Sequence, residues 1–103
     1  MDIDVDNPLA AEILQEMGAA YLAGCRKMVD ALERLKAFDE VNPPVSQERQ
    51  PARRVELLHD AAEKVFVVVV QREALKLSGS SEDFFEKYDV PREVRMLMGT
   101  KPR

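Results

Sequence analysis

The stretch Glu56-Leu57-Leu58-His59-Asp60-Ala61-Ala62-Glu63 holds the chain's single histidine between carboxylates three and four residues away. Glu-x-x-His on a helix puts both groups on one face, the ligand spacing of di-iron helical bundles. A dimer would supply two such motifs, and Glu33 could add a carboxylate. The helical phase argues against a metal. Val55, Leu58, Ala62, Val65 and Val69 form the stripe that a bundle turns inward, and Glu56, His59 and Glu63 each lie about 100° or more around from its members. The pattern therefore predicts a charged flank, with no metal and no cofactor.

Three other groups have chemical potential. Arg72 and Glu73 interrupt the most apolar part of the chain. A partly buried arginine there pairs with a carboxylate or binds an anionic group, and an ion pair that fixes helix register is the simpler reading. Residues 85–95 have the rhythm of a helix-turn-helix, with Arg92 and Arg95 exposed on a recognition helix. The spacing from Val90 to Val94 is short for that motif, and residues 82–93 carry five acids against Lys87 and Arg92. The third group is Cys25, which falls among Leu22, Met28 and Val29. A small buried thiol is expected there rather than a nucleophile.

The chain must place these groups with 103 residues, enough for one domain, residues 1–103. Hydrophobic residues make up 46% and charged residues 33%, a globular balance, and without tryptophan the core must come from Leu, Val, Ala and Met. A net charge of −4 disfavours non-specific binding to nucleic acid or acidic membranes. Residues 1–20 carry Asp2, Asp4, Asp6, Glu12 and Glu16 with no basic residue. Residues 95–103 carry Arg95, Lys101 and Arg103 with no acid. One cysteine makes no intrachain disulfide. The acidic opening lacks a secretory pattern, and apolar runs are far too short to span a bilayer. A cytoplasmic protein is expected.

The periodicity predicts helices. Pro8, with Asp6 or Asn7 as cap, starts a first helix over about 8–39, with Leu14, Met17, Tyr21, Gly24, Met28, Ala31, Leu35 and Phe38 as its stripe. Gly18 and Gly24 each weaken it unless they permit a close approach or mark a bend. Asn42-Pro43-Pro44 ends it, and residues 40–51 form a loop. Helix 2 is expected over about 52–77. The four valines at 67–70 look like strand, yet no Gly, Pro or Asn frames them and no partner strand exists beyond 2–6. The β-branched penalty sums to roughly 2–3 kcal/mol, whereas burial returns about 1.5–3 kcal/mol for each side chain. In the helix, Val65, Phe66 and Val69 can face helix 1, leaving Val67, Val68 and Val70 for another partner. Gly79 is placed to close helix 2 and Ser80 to cap a short helix over about 81–88. Pro91 begins a last one over about 91–98.

Residues 70–73 and Leu77, followed by Tyr88-Asp89-Val90-Pro91-Arg92-Glu93-Val94 and Met98-Gly99, resemble a family of small uncharacterised bacterial proteins. Residues 32–39 fit the first helix of that family. The resemblance covers about half the chain and implies a helical fold and bacterial origin, with no activity.

The sequence thus reads as all-α: a long antiparallel hairpin plus two short C-terminal helices. Helices of roughly 45 and 39 Å are too long for a compact monomer of this size. Two hairpins about a two-fold axis would complete a four-helix bundle. The alternative is a bent helix 1 with the C-terminal helices folded over helix 2. The expected function is a non-enzymatic interaction or structural protein, a homodimer acting through protein–protein contacts that include Arg72, Glu73, Arg92 and Arg95. A metal-binding bundle and a DNA-binding regulator are the other readings.

Overall fold

The four valines are helical. In the computed structural model, which describes residues 8–43, 51–77 and 79–99, the elements are α1 (Pro8–Val41), α2 (Ala52–Ala74), α3 (Ser81–Lys87) and α4 (Arg92–Leu97). No strand occurs among the described residues. The expectations placed on the lead-in with its Asp6 or Asn7 cap, on residues 44–50, and on Lys101 and Arg103 lie outside them.

α1 and α2 pack as an antiparallel hairpin, and α4 packs on α2. The register follows from three contacts: Arg54 with Asp39, Arg34 with Asp60, and Gln71 beside Gly24. By that register Ala74 ends opposite the region of Tyr21, so the first three turns of α1 project past α2. The length follows: the chain measures 58 × 23 × 21 Å, with a radius of gyration of 16.5 Å. A compact chain of this size would have a radius near 13 Å.

The core joins Met28, Ala31 and Leu35 of α1 to Leu57, Leu58, Ala61, Ala62, Val65 and Val68 of α2, with Phe84, Phe85, Val90 and Val94 closing one side. This corrects the expected phase of α2. Val68 is fully buried and unavailable to another chain, whereas Phe66 is 43% exposed, Val67 42% and Val55 39%. Four consecutive valines surround the helix, so they carry no phase of their own. Leu57, Leu58, Ala61 and Ala62 set it, and the stripe moves round to include Val68. On α1, Leu22 is also exposed rather than core.

Helix ends follow local chemistry, with one departure from expectation. α2 stops at Ala74 instead of 77. Lys76 adopts a left-handed φ of 53°, the Leu77 amide donates to the Arg72 carbonyl, and the Lys76 amide donates to the Glu73 carbonyl. That is the Schellman closure, built three residues before the Gly79 position expected for it. α3 ends the same way through Asp89, with φ 51° and the Val90 amide on the Phe85 carbonyl. Ser80 caps α3 as expected, its hydroxyl accepting from the Asp83 amide at 3.1 Å. Gly24 lies where a Cβ would come 2.7 Å from Gln71 Oε1, whereas Gly18 has nothing within 4 Å. The close approach thus belongs to Gly24 alone.

Candidate functional site

Arg54 lies one turn before Leu57 and Leu58 on the buried stripe of α2, and its side chain is 7% exposed. A buried guanidinium needs charged acceptors. It receives two. Nε and Nη2 donate to the Asp39 carboxylate of α1 at 2.8 and 3.1 Å, and Nη1 and Nη2 donate to the Glu93 carboxylate of α4 at 2.8 and 3.1 Å. Both contacts are two-pronged, a geometry that suits arginine and not lysine. The hydrogen bonds accepted by Asp39 and Glu93 raise the arginine further above its ordinary value. In return, the hydrogen bond from Arg54 holds the Glu93 carboxyl below the usual carboxylate range. One side chain thus ties together α1, α2 and α4.

The sequence reading did not single out Arg54. A signal is present: positions 54, 57, 58, 61, 62, 65 and 68 form one helical line, and a stripe defined by hydrophobicity alone omits its charged first member.

Beside this cluster a groove of about 600 Å³ runs between the second half of α1 and the α3–α4 turn. Val29, Leu32, Leu58, Tyr88 and Pro91 supply apolar walls, and Glu33, Lys36, Glu40 and Lys87 mix both signs along its edge. Cys25 is a half-buried free thiol near Tyr88. Burial first, then Cys25 and Tyr21, push the Tyr88 phenol above its ordinary value, so it stays protonated.

The polar residues singled out from sequence fall in separate places. Glu56 is exposed and pairs with Arg53 at 3.2 Å, and Glu63 is exposed and pairs with Lys64 at 3.5 Å. Among the described residues no three His, Cys, Asp or Glu side chains converge as a metal site. Glu56, His59 and Glu63 therefore do not form one within a chain. Arg72 lies over the Phe84 ring, 4.8 Å from its centroid, and joins α2 to α3. Arg95 lies 5.4 Å from the Phe85 centroid and pairs with Glu82 at 3.4 Å. Both arginines thus contribute to packing of the C-terminal helices. Glu73 and Arg92 are exposed. The helix corresponding to a recognition helix, α4, has six residues, with Val94 buried and Glu93 committed to Arg54.

The hairpin has two flanks. On one, α4 packs on α2, the Phe66 ring approaches Gly99, and Asp39 meets Glu93 across Arg54. On the other, Arg34 bridges to Asp60 at 3.4 Å, and Asp60 also pairs with Lys64 at 3.3 Å. Counting round α2 at about 100° per residue, Val67 lies close to the line of Asp60 and Lys64, whereas Val70 is turned about 60° further onto the outer face, past Glu63 and toward Phe66. No described helix covers this second flank. Val67 and Val70 are 42% and 45% exposed.

Among the described residues no helix is long and apolar enough to cross a membrane. Compared with family models, curated proteins and solved structures, the chain matches none, so the resemblance carried by residues 32–39, 70–73, 77, 88–94 and 98–99 assigns no family.

Proposed function

We propose that this chain is a non-enzymatic helical interaction protein, and that it works as a homodimer joined through the open flank of the α1–α2 hairpin. The observation that supports this most is the exposure of Val67 on the flank opposite α4, with exposed Val70 on the adjoining outer face. The polar chemistry of the fold is directed inward: Arg54, Asp39 and Glu93 hold helices together, and Arg72 and Arg95 stack on aromatic rings. A second hairpin on the open flank, related by a two-fold axis, covers such a face. A cytoplasmic setting suits a free, half-buried Cys25, and belongs to the same reading together with the bacterial origin implied by the resemblance.

Light scattering on the purified chain tests the proposal. The wild type is expected at twice the chain mass of 11.7 kDa. Val67→Asp with Val70→Asp is expected at the single-chain mass with unchanged helical circular dichroism. A wild type that stays at 11.7 kDa through the micromolar range would overturn it.

A further inference from the structure

Along α1 one line of residues recurs at alternating intervals of four and three: Leu9, Ile13, Glu16, Ala20, Ala23 and Lys27. The same rhythm reaches Arg34, whose bridge to Asp60 places the line on the open flank of the hairpin. Leu9 is 63% exposed and Ile13 40%, and both lie on the part of α1 that projects past the end of α2. Glu16 and Lys27 are exposed, and neither forms an ion pair among the described residues. They sit three turns apart on one helix, too far to meet each other.

We infer that this line is the α1 half of the contact with a second copy, with the two α1 helices antiparallel and crossing on a two-fold axis between Ala20 and Ala23. The inference rests on the homodimer proposed above and adds its axis and its charge pairs. Glu16 lies as far before that axis as Lys27 lies after it, so each Glu16 meets Lys27 of the second copy, twice by symmetry. A parallel pair would instead set Glu16 against Glu16 and Lys27 against Lys27, which repels. The small side chains of Ala20 and Ala23 sit where the helices approach most closely.

The hairpin register fits this crossing. Gln71 lies beside Gly24, so Val70 and Val67 of α2 come level with about Cys25 and Met28 of α1, and α2 ends near the level of the axis. Each α2 therefore runs beside the projecting first turns of the second copy's α1, with Val67 on the flank that faces them. Further out, Leu9 lies along the aliphatic stem of Arg34 of the second copy, while Ile13 falls opposite Asp30. The apolar contact is thus concentrated in the central turns.

A charge-swap cycle read by sedimentation equilibrium tests the register. Glu16→Lys alone and Lys27→Glu alone each turn two attractions into two repulsions, and each is expected to weaken the dimer roughly tenfold to hundredfold. The combined E16K/K27E chain restores the pairs with signs reversed and is expected within about threefold of wild type. Raised salt should shrink the single-variant effects. Circular dichroism checks that each variant is folded. If the wild type is dimeric but the singles bind normally, or the double does not recover, this axis is wrong while the dimer stands. A wild type that is monomeric overturns the dimer and the axis together.

Discussion

Replacing Arg54 with methionine keeps most of the buried stem and removes the charge, which isolates the worth of the three-helix ion cluster. Four charge-assisted hydrogen bonds disappear, two to Asp39 and two to Glu93. Removing one partner of a fully buried ion pair costs about 3–5 kcal/mol, because the other charge stays stranded. Here the stranded carboxylates are not sealed in: the Asp39 side chain is 28% exposed and that of Glu93 51%. Both can turn toward water, which discounts the loss to about 1.5–3 kcal/mol. For a domain this small that corresponds to a fall in melting temperature of roughly 6–24 °C. The measurement is urea denaturation at fixed protein concentration, since a dimer makes stability concentration-dependent. Asp39→Asn should show less than additive loss when combined with Arg54→Met, with a coupling of about 1 kcal/mol or more. Amide exchange should also quicken in α4, which Arg54 ties to the hairpin. An Arg54→Met chain within 0.5 kcal/mol of wild type, or an additive cycle, would refute the reasoning, on the scale expected of surface substitutions.

Other consequences follow from particular contacts. The Glu93 carboxyl is depressed, so its contribution is complete above its unfolded value, near pH 4.3, and is lost as pH falls through the lower folded value. The stability gap between wild type and Glu93→Gln should therefore narrow between about pH 5 and pH 3, as read by acid-dependent denaturation. Val68→Ala removes two buried methyl groups and should cost about 2–3 kcal/mol in denaturant, whereas Val67→Ala should leave the single-chain fold within about 0.5 kcal/mol and weaken only self-association. Gly18→Ala meets nothing within 4 Å in mid-helix and should raise stability by about 0.5–1 kcal/mol, measured by thermal unfolding.

The architecture was legible where one physical effect dominated. Pro43, the lack of breakers around residues 65–70 and the Ser80 cap each point one way, and the helices lie accordingly. The phase of α2 was not legible from hydrophobicity alone. Phe66 is more apolar than its neighbours, yet its outward position is set by α1 and α4 packing on the faces carrying Leu57, Leu58, Ala61 and Ala62. Arg54 was hidden because a charge was presumed to face water. Its two carboxylate partners come from residues 15 and 39 positions away, so only the hairpin register reveals them. The end of α2 was missed for a backbone reason, a lysine taking the left-handed role expected of Gly79. Glu56 and Glu63 lie on the exposed side of α2, where their helical phase puts them.

Pulsed electron resonance between spin labels at position 33 tests the assembly most directly, using Glu33→Cys in a Cys25→Ser background. Position 33 is exposed and off the proposed contact line. An antiparallel crossing between Ala20 and Ala23 puts the two labelled backbones about 35 Å apart along the paired helices. A distance near 10 Å, the spacing of a parallel pair, or no dipolar signal at all would contradict the account.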